Sequence, residues 1–413
     1  MARASAPAVA PLDAHARIAD DRAMKPFLVI ASLAATLAVA TPARADFASC
    51  VASLRSDASA KGVSDKTIAA AFDKLQPDAK VLDFETNQPE FKTPIWDYMA
   101  GLVDDERVAD GKAAMVREAG ALAKAEARFG VDRHVLAAIW GVESNFGENT
   151  GGRPLVQSLA TLACQSGQRP AYYRGELMAT LKIADRGDVP LDKLNGSWAG
   201  AFGQTQFMPS TFLRLAVDLD GSGRDIVDNP AAALGSTANY LSHSGWRTGQ
   251  PWGFEVKLPD GYSGPSGRKA KASMSSWASR GIKRLDGRSL GVGDAGLLLP
   301  AGPQGPAFLV TKNFDVIYSY NAAESYTLAI AILAQRLAGG PGVVTPWPTD
   351  DPGLSRAERR ELQALLAKHG YDVGAPDGAI GAKTKSAIAD FQGKNGLAVD
   401  GRASVKVLEA LRR

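Results

Sequence analysis

Residues 132–143 read DRHVLAAIWGVE, and this stretch predicts the fold around it. Asp132 is a residue type that caps helix N-termini, and the apolar residues after it recur on one helix face. Glu143 follows Trp140 and Ile139 at helical spacing, so its carboxyl ends an apolar stripe in the last turn. Burial and the helix dipole both favour a protonated acid there, as general acid catalysis needs. A side chain that reaches solvent past the helix end is the alternative.

The surrounding sequence continues a helical pattern from Ser49 to Leu337. Three short runs interrupt it, each rich in β-branched or aromatic residues around a loop of Gly, Ser and Lys: residues 254–259, 308–310 and 316–318. The pattern predicts a mainly α domain at residues 46–337 with a small inserted β-sheet.

A second domain is predicted at the carboxyl end of the chain. Residues 338–353 are rich in Pro and Gly and predict a semi-rigid linker. Residues 354–413 follow, with the capping-box pair Ser355 and Glu358 and apolar stripes for three helices. Because the linker implies separate cores, we expect few contacts across it and an active catalytic domain after deletion of residues 347–413.

Composition excludes several classes of function. The chain has 413 residues, 45% of them hydrophobic, and a formal charge of +3, which is too small a surplus to favour a nucleic-acid partner. Four His and two Cys, without a CxxC or HExxH motif, do not assemble the usual zinc, haem or iron–sulfur ligand sets. We therefore expect no cofactor, and chemistry performed by carboxylates, hydroxyls and amides.

The amino end has the pattern of an export signal. Lys25 precedes an apolar run at residues 27–40, and Ala43 and Ala45 suit a signal peptidase, so residues 1–45 are predicted to be a signal peptide with an upstream extension. The expected location is the periplasm. Cys50 lies in a poor context for a lipid anchor, and in an exported chain Cys50 and Cys164 are expected to form a disulfide.

Three blocks in order resemble the signature motifs of the B-type lytic murein transglycosylases, lysozyme-like enzymes that cut the glycan strand of peptidoglycan. They are GVESNFG at 141–147, NGSWAGAFGQTQFMPS at 195–210 and SYNAAESY at 319–326. The resemblance extends from about residue 47 to 337 and includes PIWDY at 94–98. Residues 354–413 are similar, over their whole length, to the small three-helix peptidoglycan-binding domain of cell-wall enzymes.

The resemblance implies roles for individual residues. Glu143 would be the single catalytic acid and base, and the substrate-binding residues would be Gln206, Asn321, Ser197, Tyr98 and Tyr320. Asn321 with Glu324 is alternatively a helix cap. Trp96, Trp140 and Tyr172 are weaker candidates for stacking against sugar rings.

The implied reaction cleaves the β-1,4 bond between N-acetylmuramic acid and N-acetylglucosamine without water and leaves a 1,6-anhydromuramoyl end. A hydrolase normally needs a second carboxylate. Asp97 and Glu148 are the conceivable partners, but neither matches a catalytic position of the family. A muramidase-type hydrolase and a noncatalytic wall-binding protein remain the alternatives, and we expect a monomer that binds peptidoglycan glycan strands.

Two further motifs are weak. GVGDAG at 291–296 fits a dinucleotide pattern, but Pro300 blocks the helix it should open, so we interpret it as a loop. Residues 218–229 resemble a calcium loop, with Asp218, Asp220 and Ser222 as candidate ligands, but Asn229 stands where a bidentate Glu belongs. We expect a hydrogen-bonded turn without a metal. The basic residues of the insert, such as Arg268, are expected to form a solvated face.

Overall fold

The computed structural model describes residues 47–86 and 93–413, which belong to one compact unit. The predicted signal peptide, residues 1–45, lies outside the described residues. None of the described helices combines the length and apolarity that a membrane span requires.

The described part of the chain is mainly helical, as predicted. Its helices are α1 Phe47–Ala60, α2 Asp65–Phe72, α3 Lys80–Thr86, α4 Ile95–Leu102, α5 Asp105–Arg117, α6 Ala119–Phe129, α7 Arg133–Ser144, α8 Leu155–Gln165, α9 Pro170–Asp185, α10 Pro209–Leu215, α11 Pro230–His243, α12 Met274–Ser279, α13 Lys312–Asn321, α14 Glu324–Leu337, α15 Arg356–Lys368, α16 Ala382–Lys394 and α17 Val405–Leu411. Its strands are β1 Arg153–Pro154, β2 Asn195–Gly196, β3 Gly253–Lys257, β4 Gly267–Ser273, β5 Lys283–Arg284, β6 Asp294–Leu298 and β7 Ala307–Val310.

Two apolar cores fill the larger helical region. One is built around α7 and α14, and the other around α1, α8 and α9. The rings of Tyr240 and Tyr320 pack against both cores. The last turn of α7, which carries Glu143, is therefore held among tightly packed elements.

The predicted disulfide is confirmed. Cys50 in α1 is bonded to Cys164 in α8, with the two Cα atoms 5.9 Å apart. The bridge closes a loop with a sequence separation of 114 residues. In the chain-entropy model, a loop of about this length stabilises the fold by about 4 to 5 kcal/mol.

The inserted sheet is antiparallel with the strand order β4-β6-β7-β3-β5. Strands β3 and β7 confirm two of the three predicted runs, but the prediction of a strand at residues 316–318 is wrong, because these residues lie in α13. Thr311 caps this helix by accepting a hydrogen bond from the Asn313 amide. Val316 and Ile317 are buried in the core around α7, so tertiary burial overrides their β-propensity.

The basic residues of the insert are not uniformly solvated. Arg268 is only 8% exposed, donates to Asp315 in α13 at 2.8 Å and places its guanidinium 3.7 Å from the centroid of the Tyr318 ring. The expectation of a solvated face is wrong for this residue, because the ion pair and the ring replace its water. Gly291 and Gly293 lie in a loop that leads into β6, as expected, but the loop interpretation is wrong for residues 294–296, which are the first residues of β6 and pair with β4 and β7.

Helices α15, α16 and α17 surround a core of their own. The predicted capping box is confirmed, because Ser355 and Glu358 each bond the other's backbone amide. The expectation of few contacts with the preceding region is wrong. Charged hydrogen bonds cross between the two regions at Arg356 with Asp104 and Asp110, Arg360 with Glu106, and Arg402 with Asp97.

Candidate active site

The helix that carries Glu143 forms as its sequence predicts. The side chain of Asp132 accepts a hydrogen bond from the His134 amide at 2.7 Å, and the helix ends at Asn145 in the left-handed conformation (φ 51°). Glu143 is the penultimate residue of α7 and keeps part of its surface accessible. Trp140 is 1% exposed, so it belongs to the core and the sugar-stacking role considered for it is wrong.

Tyr326 is the direct partner of Glu143. Its hydroxyl donates a short hydrogen bond to Glu143 Oε1. Burial raises the pKa of Glu143 to about 7, and the hydrogen bond from Tyr326 opposes that rise. The carboxyl is therefore substantially protonated near neutral pH, which is the state a general acid needs.

Tyr326 was not singled out from the sequence, although it is the last residue of the block at 319–326. Burial and the charge of Glu143 raise its pKa well above the usual tyrosine value. The hydroxyl therefore stays protonated and acts as a donor. The sequence signal was its place in the block, but no pattern showed that it would meet a residue 183 positions away.

Tyr320 lies close to Glu143 but serves a different partner. Its hydroxyl donates to the Thr205 carbonyl oxygen at 2.7 Å, and its ring lies 4.9 Å from that of Tyr240. Burial, and next the charge of Glu143, raise the pKa of Tyr320 well above its ordinary value. Tyr320 thus joins α13 to the loop at residues 203–207.

Gln204, which sequence reasoning missed, fastens the same loop to the catalytic helix. The indole Nε1 of Trp140 donates to Gln204 Oε1 at 3.0 Å, and Ser144 Oγ donates to the Gln204 carbonyl oxygen at 2.5 Å. Ser144 Oγ also accepts from the Gly147 amide at 2.9 Å. The first two signature blocks are therefore joined through the side chains of Trp140, Ser144 and Gln204.

Gln206 has a left-handed backbone (φ 51°), which is uncommon for a residue other than Gly or Asn. Its Nε2 donates to the carbonyl oxygens of Thr150 at 2.9 Å and Gly203 at 2.8 Å. These two bonds fix the side-chain amide of Gln206 through its nitrogen, so its oxygen Oε1 can accept a hydrogen bond from another group. The side chain is half-buried beside the loop that Gln204 holds.

The remaining predicted binding residues are placed as follows. Ser197 accepts a hydrogen bond from the Ala201 amide at 3.0 Å and so also shapes its own turn. Asn321 is exposed at the last position of α13. The helix-cap alternative for it is wrong, because Ala323 precedes α14. Tyr98 lies in α4 and contributes to the electrostatic surroundings of Tyr326.

Neither conceivable second carboxylate is placed as a catalytic partner. Asp97 is 7% exposed and binds the Arg402 guanidinium with both oxygens, at 2.5 and 2.6 Å. Glu148 is exposed and accepts a hydrogen bond from Asn145 Nδ2. Burial is the cause of the raised pKa of Glu143, the hydrogen bond from Tyr326 lowers it, and no neighbouring carboxylate contributes to it.

Residues 218–229 form a hydrogen-bonded turn. Asp218 Oδ1 accepts from the Gly221 amide at 2.7 Å, and Asp220 Oδ1 accepts from the amide and hydroxyl of Ser222 at 3.1 and 2.7 Å. Asn229 donates to Ser222 Oγ at 2.6 Å. Across residues 47–86 and 93–413, no cluster of three or more His, Cys, Asp or Glu is arranged to hold a metal ion.

Comparison with known families identifies the chain. Residues 46–335 match the family model described as Transglycosylase SLT domain. The protein belongs to the lytic murein transglycosylases. Residues 355–411 match a family model for a peptidoglycan binding domain, so both resemblances drawn from the sequence are confirmed.

Individual relatives agree with this assignment. Membrane-bound lytic murein transglycosylase B of Escherichia coli (strain K12) is 32% identical over 244 residues, which are 58% of this chain and 66% of that protein. The structure of SltB3 from Pseudomonas aeruginosa in complex with NAG-anhNAM-pentapeptide is 43% identical, with a TM-score of 0.72, over 89% of this chain and all of that one. The Escherichia coli transglycosylase Slt35 in complex with calcium is 29% identical, with a TM-score of 0.63, over 70% of this chain and 92% of that one.

Proposed function

We propose that this lytic transglycosylase cleaves the β-1,4 bond between N-acetylmuramic acid and N-acetylglucosamine with Glu143 as its single acid and base. The observation that carries the proposal is the partly exposed residue Glu143, whose desolvated carboxyl has a pKa of about 7 and one hydroxyl partner. The anhydro sugar bound in the SltB3 complex supports the same reaction type.

In this proposal the two oxygens of Glu143 have different roles. Because Oε1 accepts the Tyr326 hydrogen bond, the proton of the acid form belongs on Oε2. That proton passes to the glycosidic oxygen as the bond to the muramoyl C1 breaks, and the N-acetyl group shields the cationic carbon. The Glu143 carboxylate, stabilised by Tyr326, then removes the proton of the muramoyl 6-hydroxyl as its oxygen bonds to C1. The acid is regenerated and no water is consumed.

We propose that the substrate-binding residues line the surface around this centre. Gln206 Oε1 and the exposed Asn321 amide would accept and donate hydrogen bonds to sugar hydroxyl and acetamido groups. Ser197, Tyr98 and Tyr320 are proposed to complete the wall, the first two through their accessible surfaces and Tyr320 through its ring. Residues 46–337 would form the catalytic domain, 338–353 the connection and 354–413 the wall-binding domain.

We propose a periplasmic location and a monomer without a nucleic-acid partner. A thioether-linked lipid at Cys50 is disfavoured, because both cysteines of the chain are joined in the disulfide. The degraded turn at residues 218–229 favours function without calcium, which a titration of the protein with calcium would check.

Mass spectrometry of the products from purified sacculi tests the function. The expected product ends in 1,6-anhydromuramic acid, one water lighter than a hydrolysis product and resistant to borohydride. A reducible muramoyl end would assign the protein to the hydrolases. Failure to clear sacculi in a zymogram would leave a noncatalytic wall-binding protein.

A further inference from the structure

The wall-binding domain makes a contact at the end of the catalytic helix. Arg356, the first residue of α15, donates from Nη1 to Asn145 Oδ1 at 3.0 Å. The same guanidinium binds Asp104 from Nε at 3.1 Å and Asp110 from Nη2 at 2.9 Å. Only 16% of the Arg356 side chain is exposed, so solvent screens these bonds weakly.

Asn145 is the residue that terminates α7, two positions after Glu143. Its left-handed backbone ends the helix, and its backbone N–H donates to the Gly141 carbonyl oxygen at 3.0 Å. That carbonyl also accepts a hydrogen bond from Arg107, whose own amide donates to Asp104 at 2.6 Å. The last turn of α7 is therefore held by Arg107 from α5 and by Arg356 from α15, and Asp104 connects the two arginines.

We propose that Arg356 is a positioning residue of the active site: through Asn145, the wall-binding domain sets the place of the helix end that carries Glu143. The inference rests on the proposed function. It gives the domain a second role besides attachment to the wall, because displacement of a catalytic group by about 1 Å can cost about 100-fold in rate.

The same interface provides a matched control. Arg360 lies one turn further along α15 and binds Glu106 with distances of 2.9 and 2.8 Å. It crosses between the same two regions but has no hydrogen bond to the catalytic helix. A role in docking alone would make Arg356 and Arg360 equivalent, whereas positioning distinguishes them.

The experiment uses the full chain and a soluble peptidoglycan tetrasaccharide, on which attachment to the wall has no influence. For Arg356→Ala we expect kcat to fall about tenfold with KM within about twofold, and the alkaline limb of the pH profile to move to lower pH as water reaches Glu143. Arg356→Lys should recover part of kcat, because it retains a charge but not the planar fork. The kcat of Arg360→Ala should stay within about twofold of that of the unsubstituted protein.

A double-variant cycle isolates the contact. Asn145→Gly preserves the left-handed turn and removes Oδ1, so it should lower kcat as Arg356→Ala does, and the double variant should lose little more. If Arg356→Ala does not fold, the kcat of Asn145→Gly alone tests whether the contact between Arg356 and Asn145 positions Glu143. The proposal is overturned by an unchanged kcat and pH profile in these variants, by an equal loss in Arg360→Ala, or by additive losses. Reducible muramoyl ends from the unsubstituted protein would instead contradict the proposed reaction. The cleavage rates of the variants relative to the unsubstituted protein would still test whether Arg356 positions Glu143.

Discussion

Glu143 and Asp104 are two carboxyl groups largely removed from water, and their pKa values move in opposite directions. Burial raises the pKa of Glu143 to about 7, and a single neutral hydroxyl opposes it. Burial alone would also raise the pKa of Asp104, but the Arg107 amide and Arg356 outweigh burial and lower it. The number and charge of the donors, rather than burial alone, therefore separate a catalytic acid from a structural anion.

The two groups also have opposite linkage to stability. Glu143 has a folded pKa above its ordinary value of 4.5, so it costs stability that grows as pH rises from about 4.5 to about 7. Asp104 has a folded pKa below its ordinary value of 3.8, so its contribution is present above that pH and is lost as pH falls through the folded pKa.

The largest effect is expected for Glu143→Gln, which retains the side-chain size but cannot deliver or recover a proton. Lysis of sacculi should fall by about 10⁴-fold or more, because two proton-transfer steps are lost. At pH 8 the variant should melt at an equal or higher temperature, with a gain of at most about 3 kcal/mol that vanishes near pH 4. Clearing of sacculi by this variant would remove Glu143 from the mechanism.

Tyr326→Phe should have the next largest effect. Loss of a hydrogen bond to a charged group should lower kcat by about 10- to 100-fold. Because this bond lowers the pKa of Glu143, its loss should move the alkaline limb of the kcat profile to higher pH. Tyr240→Phe, which removes a hydroxyl bonded to the Ser319 carbonyl oxygen, should leave that limb in place. A limb that moves equally in both variants would contradict the assignment.

Asp97→Asn tests the ion pair between Asp97 and Arg402 at the interface between the two regions. It replaces one of the two carboxylates that pair with the Arg402 guanidinium and leaves Asp351 as the other, and we expect a loss of about 2 kcal/mol in unfolding free energy. The matched control is Asp105→Asn, whose side chain is 97% exposed and whose ion pair with Arg336 should contribute less than about 1 kcal/mol. Equal stabilities of the two variants in urea would show that the Asp97 pair contributes no more than the exposed Asp105 pair.

The smallest effect concerns packing at the same interface. A Cβ at Gly101 in α4 would lie 2.7 Å from Cζ of Arg359, which donates to the Asp97 carbonyl oxygen at 3.2 Å. Gly101→Ala should therefore lower the melting temperature and expose the interface to protease, at a cost of about 1 kcal/mol. Gly120→Ala, where nothing lies within 4 Å, should instead stabilise its helix by about 0.5 to 1 kcal/mol. Stabilisation by both substitutions would mean that the domains do not dock tightly at Arg359.

Several features were determined by the sequence itself, because their causes lie within a few residues. The Asp132 cap, the apolar stripe that ends at Glu143 and the Ser355–Glu358 capping box are all present as predicted. The disulfide followed from the chemistry of two cysteines in an exported chain. The order of the signature blocks was sufficient to recognise the family.

Tertiary structure alone decided the partners. Tyr326 meets Glu143 across 183 residues, and Arg402 meets Asp97 across 305. Asp97 and Glu143 are both acidic residues near aromatic ones in the sequence, and nothing local states that one will receive a guanidinium and the other a hydroxyl. The physical reason is that a pKa and a docking energy depend on which donors packing brings within about 3 Å, and no local pattern records that distance.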